Sequence, residues 1–312
     1  MTDDIREAIN KVQRDLGKAG FKSTIISTQC LSGIHSDIES LYTQGIFDGT
    51  FYEERLSHYH YDVPGDFHEA RSIIVTAAPQ PKVTVEFSLS GTSYLTIIPP
   101  TYSYDTDERA LGLLRRLLSP FGYMVSEAIL PVKALAVRCQ LATYGRNNIT
   151  YIDDWGSYFR LKVFYSDLPC REDTWQQYTM MDHCKTCTTC LKSCPTKAIS
   201  EDRFIFHAER CLTFLNEGEH QFPDWVDPAW HNCLIGCMIC QDVCPLNKDV
   251  RSWTSEGESF SDEETRVILA GVPSDSLPEA MVEKLKRVYM WDDYHVLKRN
   301  LRAIIKRIKG AT

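Results

Sequence analysis

Features that would direct a chain into a membrane or out of the cell are missing from this sequence of 312 residues. It has no run of about 18 apolar residues, which argues against a transmembrane helix. The N-terminal residues Met1–Arg6 are polar and acidic, whereas a signal peptide begins with basic residues followed by an apolar core. We therefore expect a cytoplasmic protein without a membrane anchor.

A disulfide framework is also not expected, although the chain has 12 cysteines. Such frameworks belong to short secreted domains. Three cysteines (Cys30, Cys139 and Cys170) are scattered, while the other nine lie between Cys184 and Cys244. Scattered cysteines behave as small buried apolar residues. A dense group at short spacings indicates metal ligands.

The charge balance does not favour a general attraction to nucleic acid, because the net charge is −8. The stretch 284–309 differs, since it has nine Lys or Arg against two Asp. It is either a docking patch or, as is more common, the solvated face of a helix.

Apolar patterns predict mixed helices and strands before residue 170. Helical spacing covers residues 3–20, 36–42, 107–118 and 130–141, and strand patterns cover 72–78, 83–89, 94–98 and 161–165. Residues 262–309 have helical spacing throughout. We predict an α+β protein with three parts, which are an α/β domain over 1–170, a cysteine-rich module over 171–250 and a helical segment over 251–312.

The first cysteine motif is Cys184-x2-Cys187-x2-Cys190-x3-Cys194-Pro195. This is the bacterial ferredoxin run, whose fourth cysteine binds a different cluster from the first three. Spacings of two residues let a tight loop place three sulfurs at three corners of a cubane. The motif therefore predicts two 4Fe–4S clusters.

A second group, Cys237-x2-Cys240-x3-Cys244-Pro245, repeats the end of the first motif. By the pseudo-symmetry of two-cluster ferredoxins, its last cysteine should return to the first cluster. Cluster one is then expected to have four ligands: Cys184, Cys187, Cys190 and Cys244.

The same symmetry predicts three ligands of cluster two: Cys194, Cys237 and Cys240. Two cysteines compete for the fourth place. Cys211 stands alone between the groups, and Cys233 precedes Cys237 at a spacing of x3 where a ferredoxin run has x2. Spacing alone leaves both open.

Zinc is the alternative for groups of thiolates. The two Cys-Pro endings and the interleaved ligand order favour iron and sulfide. Four histidines lie near the cysteines in sequence: His183, His207, His220 and His231. Because thiolates are numerous enough, we expect these histidines at the surface or around the ligands rather than on a metal.

Five segments together resemble epoxyqueuosine reductases, which are relatives of the reductive dehalogenases. They are Asp154–Leu161 (DWGSYFRL), Ser166–Pro169 (SDLP), the first cysteine motif, Arg210–Leu215 (RCLTFL) and Ile235–Asn247 (IGCMICQDVCPLN). The resemblance covers about residues 120–250 and is looser outside them. Enzymes of this family depend on cobalamin, carry two 4Fe–4S clusters and act on a modified base in tRNA.

The resemblance implies a nitroreductase-like α/β domain that holds base-off cobalamin, followed by a ferredoxin-like module with two clusters. It implies electron flow from an external donor of the flavodoxin or ferredoxin type, through the clusters, to cobalt, while a protein group supplies the proton. In the family the cysteine of the Arg-Cys motif is a ligand, so the resemblance assigns Cys211 to cluster two and leaves Cys233 spare. It places Asn148, Tyr151 and Thr213 against the corrin.

The chain departs from the family around the expected pocket. Ser126 stands where the family has its expected proton donor, an Asp, and Glu127 follows it. A serine hydroxyl is a poor acid near neutral pH, and Glu127 can substitute only if the backbone turns it into the pocket. We treat both as candidate catalytic residues.

Other departures lie nearby. Lys162 and Val163 replace a Gly-Glu pair of the family, and only Gly145, Arg146 and Asn147 remain of a Gly-rich segment. Four tyrosines either line a macrocycle or, as we expect, pack in the core: Tyr102, Tyr104, Tyr144 and Tyr158.

Three functions therefore stay open. The first is a cobalamin-dependent reductase, acting on epoxyqueuosine in tRNA or on another substrate. The second is a ferredoxin-like electron carrier, and the third is a reductase that acts on a partner corrinoid protein.

Overall fold

A computed structural model describes residues 3–170 and 175–310, which form two compact units. The first unit comprises Met1–Pro79 and Tyr104–Cys187, and the second comprises Gln80–Ser103 and Thr188–Thr312. This grouping differs from the predicted division into 1–170, 171–250 and 251–312, because residues 80–103 pack with the cysteine-rich and C-terminal parts. Within the described residues, no helix is both long and apolar enough to cross a membrane.

Helices and strands alternate along the first unit. Numbered along the whole chain, its helices are α1 (Asp3–Lys18), α2 (Leu31–Thr43), α3 (Gly49–Arg55), α4 (Asp105–Leu118), α5 (Val132–Arg138) and α6 (Asp182–Thr186). Its strands are β1 (Lys22–Ser27), β2 (Ser72–Pro79), β5 (Val125–Glu127), β6 (Thr143–Tyr144), β7 (Thr150–Tyr151) and β8 (Phe159–Ser166).

An antiparallel sheet of order β1-β2-β8-β5 forms the centre of the first unit. β2 is buried on both faces because successive side chains of a strand point to opposite sides. Ile73 and Val75 pack in the core that includes α2 and α5, whereas Ile74 and Ala78 pack in the core that includes α1 and α4. The unit therefore has three layers, with the sheet between two layers of helices.

The second unit contains the cysteine-rich loops and the C-terminal helices. Its strands are β3 (Lys82–Leu89), β4 (Thr92–Ile98) and β9 (Thr254–Phe260). Its helices are α7 (Thr189–Ser193), α8 (Leu212–Glu217), α9 (Ile239–Asp242), α10 (Asp262–Ala270), α11 (Glu279–Arg287) and α12 (Tyr294–Gly310).

A sheet of order β4-β3-β9 supports this unit, with β3 antiparallel to β4 and parallel to β9. The rings of Phe87 and Phe260 stack with their centroids 4.9 Å apart. The same core contains residues of α10, α11 and α12, and it also contains Leu234 and Ile235. Because these two residues come just before Cys237, the core anchors a cysteine loop directly.

The predicted α+β class is confirmed, and most predicted elements are present with shifted ends. The helix predicted over 130–141 is confined to Val132–Arg138, and Gln140 has a positive φ of 63°. Five strands were not predicted: β1, β5, β6, β7 and β9. β9 lies in the segment expected to be helical, and its sequence TSEGESF has no apolar alternation.

Gly257 explains how β9 joins the sheet. A Cβ atom at this position would lie 2.6 Å from Val83 Cγ1 and 2.7 Å from the carbonyl oxygen of Thr84. Only a residue without a side chain allows β9 to approach β3 this closely.

Candidate iron–sulfur centre

Cys184 and Cys187 lie in the first unit, within and directly after α6. The guanidinium of Arg146 donates hydrogen bonds to the carbonyl oxygens of Cys184 (2.7 Å), Cys187 (3.0 Å) and Lys185 (3.3 Å). A helix as short as α6 is unstable alone, so this clamp fixes the loop that presents both sulfurs.

The other two expected ligands of cluster one, Cys190 and Cys244, lie in the second unit. Cys190 lies within α7, and Cys244 follows α9. The four residues expected on cluster two all lie in the second unit: Cys194, Cys211, Cys237 and Cys240.

Three of the cysteines expected on cluster two influence one another. Burial raises the pKa of Cys237 to about 12, and the neighbouring Cys211 and Cys194 contribute to this rise. Burial also raises the pKa of Cys211, with a smaller contribution from Cys194. These thiols therefore lie close together, and they must lose their protons when they bind metal.

Hydrogen-bond donors point at two of these sulfurs. Cys211 Sγ accepts from the backbone N–H and the hydroxyl of Thr213, and from the N–H of Phe214. Cys237 Sγ accepts from the side-chain amide of Asn232 at 3.2 Å, and from the N–H of Ile239. Such donors stabilise negative charge on ligand sulfurs. The donor set therefore fits thiolate ligands of an iron–sulfur cluster.

Cys233 has a different environment. It is only 1% exposed, and its S–H donates to Asn232 Oδ1 at 3.0 Å. Burial, with a smaller contribution from Cys237, raises its pKa well above the usual value. Burial raises the pKa of Cys211 and Cys237 as well, and the N–H of Met238 reaches the Cys233 sulfur, so protonation does not separate the two candidates. Cys194 contributes to the raised pKa of both Cys211 and Cys237, which groups Cys211 with two expected ligands. The geometry favours Cys211 for cluster two, and the assignment stays a prediction.

Polar side chains hold the loop before Cys237. Gly236 has a φ of +67°, and a Cβ there would lie 2.7 Å from the hydroxyl oxygen of Tyr102. Asn216 Nδ2 donates to the carbonyl oxygen of Gly236 at 2.6 Å. Asn300 Nδ2 donates to the carbonyl oxygens of Asn216 and Leu234, each at 3.0 Å. Buried amides thus replace a regular secondary structure that this loop lacks.

Arg299 of α12 clamps the chain that follows Cys211. Its guanidinium donates to the carbonyl oxygens of four residues: Leu215, Asn216, Gly218 and His220. It also lies 4.1 Å from the ring centroid of Phe222. Burial lowers the pKa of Arg299 to about 10, so the side chain keeps its charge at neutral pH.

The four neighbouring histidines fall into two groups. His183 and His220 are exposed, and His207 is half-buried with Nδ1 3.2 Å from Glu209. His231 is 1% exposed, and in the part of the chain that the structure describes neither of its ring nitrogens has a hydrogen-bond partner. Burial, then Arg299 and Arg307, lowers its pKa to about 4.

The two candidate catalytic residues lie on opposite faces of the first unit's sheet. In β5, Ser126 is opposite Tyr165 of β8, and Glu127 is opposite Phe164. Tyr165 belongs to the core with α2 and α5, and Phe164 to the core with α1 and α4. Since side chains alternate along a strand, the backbone does not turn Glu127 to the side of Ser126.

Glu127 also has a partner on its own face. Its carboxylate lies 2.7 Å from Lys162 Nζ, which is 3.7 Å from Asp107. Arg160 in turn lies 2.8 Å from Asp107. Glu127 is therefore the outer member of a charged group beside α4, and a catalytic role for either Ser126 or Glu127 stays a prediction.

The residues that the resemblance places against a corrin occupy both units. Asn148 lies between β6 and β7 with a φ of +53°, and both it and Tyr151 are buried. The hydroxyl of Tyr151 accepts from Asn147 Nδ2 at 3.1 Å. Thr213 lies in the second unit with its hydroxyl directed at Cys211. Thr213 thus contacts Cys211, and its role toward cobalamin stays a prediction.

The four tyrosines differ in exposure. Tyr158 is completely buried, and Tyr104 is 38% exposed. Burial raises the pKa of Tyr144 and, with a further contribution from Glu217, the pKa of Tyr102. Tyr158 is therefore part of the core, Tyr102 and Tyr144 are half-buried, and Tyr104 is the most exposed of the four.

Five residues that support the candidate site were not predicted: Arg146 as a clamp, Asn216, Asn232, Arg299 and Asn300. Each acts through contacts with carbonyl oxygens or a sulfur, which a linear pattern does not display. Arg146 had the only local signal, because it lies in the remnant of the Gly-rich segment.

Comparison with known proteins agrees with this geometry. Residues 183–247 match a family model described as a 4Fe-4S double cluster binding domain. An epoxyqueuosine reductase of Cyclobacterium marinum is 37% identical over 114 residues, which is 36% of each chain. One of Pseudomonas aeruginosa is 28% identical over 251 residues, which is 78% of this chain and 61% of the relative. The chain thus matches less than two thirds of the length of these relatives.

Solved structures share the fold over a longer range. An epoxyqueuosine reductase crystallised with an epoxyqueuosine-modified tRNA-Tyr stem loop matches with a TM-score of 0.69 and 19% identity, over 98% of this chain and 83% of that one. The enzyme from Streptococcus thermophilus matches with a TM-score of 0.66 and 18% identity, over 96% and 81% of the two chains. The chain is therefore similar to epoxyqueuosine reductases in fold and, more distantly, in sequence.

Proposed function

We propose that the chain is an iron–sulfur oxidoreductase that passes electrons through two 4Fe–4S clusters to a cobalamin, which reduces a substrate. A donor of the flavodoxin or ferredoxin type supplies the electrons. The observation that carries the proposal is the set of hydrogen-bond donors around Cys211 and Cys237, within a segment that matches a double-cluster domain.

The proposal assigns four cysteines to each cluster. Cluster one is bound by Cys184, Cys187, Cys190 and Cys244, and cluster two by Cys194, Cys211, Cys237 and Cys240. The spacing supports the first set, and the mutual influence of Cys194, Cys211 and Cys237 supports the second. Arg146 serves cluster one by holding the loop of Cys184 and Cys187 in place.

The segment around Asn148 fits a rigid support for a large cofactor. Gly145 packs so closely that a Cβ there would lie 2.7 Å from both Asn147 Oδ1 and Tyr151 Cε2. The turn between β6 and β7 is therefore fixed before any ligand binds, and preorganisation of this kind reduces the entropy that binding costs. Asn148 and Tyr151 would orient the corrin, and a bound cobalamin would supply a cobalt centre that accepts electrons.

Proton delivery is where the chain differs from its relatives. Ser126 offers a hydroxyl, which does not act as an acid near neutral pH unless a second group assists it. Glu127 lies on the other face of the sheet and is paired with Lys162 at 2.7 Å. This observation favours a second candidate function, in which the chain passes electrons to a partner corrinoid protein and needs no proton donor of its own.

The substrate follows from whichever function holds. A relative was solved with a modified tRNA stem loop, so a tRNA carrying epoxyqueuosine is the first substrate to test. A corrinoid protein is the partner expected for the second function.

An anaerobic titration separates these functions. The protein, purified with both clusters, is mixed with cob(II)alamin and followed by absorption and EPR spectroscopy. A base-off cobalt signal supports a resident cobalamin, and turnover of an epoxyqueuosine stem loop then identifies the substrate. If only cluster signals appear, the cobalamin-dependent proposal is wrong and a partner corrinoid protein is tested instead.

A further inference from the structure

Asn232 makes hydrogen bonds with two cysteines: Cys233, which is not an expected ligand, and Cys237, whose sulfur is expected to bind iron. Its amide is next to Cys233 in sequence and reaches forward to the loop of Cys237. Asn232 Nδ2 lies 3.2 Å from Cys237 Sγ and 3.2 Å from the carbonyl oxygen of Trp230. Its Oδ1 lies 2.8 Å from the backbone nitrogen of Met238 and 3.0 Å from Cys233 Sγ.

The orientation of this amide is determined by its backbone partners. The N–H of Met238 can only donate, so Oδ1 must face it. The carbonyl oxygen of Trp230 can only accept, so the NH2 group must face it. Both requirements turn an N–H of Asn232 toward Cys237 Sγ. A reversed amide would break both backbone contacts.

Cys233 adds to the same arrangement. Its sulfur is 1% exposed and its S–H donates to Asn232 Oδ1. A donor on the oxygen of an amide polarises the group and strengthens donation from its nitrogen. The spare thiol therefore acts through Asn232 on the ligand, although it is not expected to touch iron.

We propose that Asn232, supported by the Cys233 thiol, is a positioning residue that raises the reduction potential of cluster two. Reduction adds negative charge to a cluster, and a hydrogen bond to a ligand sulfur stabilises that charge. This inference rests on the proposed assignment of Cys237 and Cys211 to cluster two. It adds a role for two residues that do not themselves bind the cluster.

The test is a potentiometric EPR titration of the protein with both clusters, after its iron content is measured. Asn232→Ala should make the potential of cluster two more negative and leave cluster one unchanged. Cys233→Ala should give a smaller shift in the same direction, and Cys233→Ser should preserve the wild-type potential because its hydroxyl donates in the same place. Cys139→Ala, which removes a buried thiol from the first unit, is the matched control.

Three results would count against different parts of this inference. Loss of one cluster from Cys233→Ala, seen as halved iron content, would show that Cys233 is a ligand and would overturn the proposed ligand set. Full iron content with an unchanged potential in Asn232→Ala would leave the ligand set intact and overturn the tuning role. If Asn232→Ala fails to assemble, the Cys233 variants decide, because equal potentials in Cys233→Ala and wild type contradict the proposal.

Discussion

The cysteine loops of the second unit and the edge strand of the first unit show two ways of holding a candidate functional residue. Around Cys211 and Cys237, several polar groups converge on each sulfur, and Asn216, Asn300 and Arg299 fix the backbone behind them. On β5, strand alternation sets the faces of Ser126 and Glu127, and Glu127 pairs with Lys162. In the first arrangement several separate contacts hold the same loop. On the strand, one substitution is enough to change the chemistry.

The largest expected effect concerns the ligand that spacing left open. Cys211→Ala should abolish cluster two, because it removes the sulfur on which the donors of Thr213 and Phe214 converge, while cluster one remains. The iron content should fall by half, and one of the two reduced-cluster EPR signals should disappear. Cys170→Ala is the matched control, since Cys170 lies in the first unit and donates to the Ile25 carbonyl oxygen.

If the Cys211→Ala protein retained both clusters, Cys211 would not be a ligand of cluster two. Cys233 would then be the ligand, and the donors around Cys211 would be ordinary packing.

The second prediction concerns the clamp behind the loops. Arg299→Met keeps the apolar stem but removes the donors to four carbonyl oxygens, so segment 215–220 should open more easily. The expected cost is about 3 kcal/mol, since buried groups lose charged partners. Hydrogen exchange measured by mass spectrometry should show backbone protection in this segment falling by roughly a hundredfold.

Arg302→Met is the control for this change. Arg302 is exposed on the same helix and donates to the carbonyl oxygen of Leu269 alone among the contacts described for it. It should change exchange in segment 215–220 very little. Equal effects of the two variants would mean that helix charge, and not the clamp, protects the loop.

The third prediction uses pH. Burial lowers the pKa of His231 to about 4 in the folded protein, whereas an unfolded histidine has a pKa of about 6.5. As the pH falls below 6.5 the unfolded chain takes up a proton that the folded chain refuses, so stability is lost down to about pH 4. The loss should reach about 2 kcal/mol at pH 5.

His231→Phe removes this proton and should flatten the pH dependence. The melting temperatures of both proteins, followed from pH 7.5 to pH 5, should diverge as the pH falls, with the wild type losing more. Parallel curves would show that His231 has a polar partner in solution and that its pKa is not lowered.

Different parts of the molecule were predictable to different degrees. The cysteine motifs predicted the double-cluster segment because cluster ligation depends on spacings of two or three residues, which are visible locally. β9 was missed because its strand character comes from pairing with β3, about 170 residues away, and from the close approach at Gly257. Arg299 was missed because its partners are carbonyl oxygens far away in sequence. Asn232 was missed because its contacts with Cys237 and Met238 depend on how the loop folds.

The faces that Ser126 and Glu127 occupy on β5 could not be predicted from the sequence either. The resemblance identified the position of Ser126, and the neighbouring Glu127 was the natural substitute acid. Whether a strand neighbour can act in place of another depends on which face each occupies, and the pairing with β8 decides that. Sequence alone showed no strand at residues 125–127.

The smallest expected effect tests Glu127 against its inner neighbour. Glu127→Gln removes an ion pair whose carboxylate side chain is 55% exposed, and such surface pairs are usually worth less than about 1 kcal/mol. Asp107→Asn is the matched change, since Asp107 is 8% exposed and pairs with both Arg160 and Lys162. It should lower the free energy of unfolding by about 1 to 2 kcal/mol. Differential scanning calorimetry should therefore show a clear fall in melting temperature for Asp107→Asn and almost none for Glu127→Gln.

Turnover, once a substrate is found, should likewise survive in Glu127→Gln, because the carboxylate lies on the face of the sheet opposite Ser126. A sharp loss of turnover with unchanged stability would instead make Glu127 the proton donor, and the edge strand would then have to rearrange during the reaction.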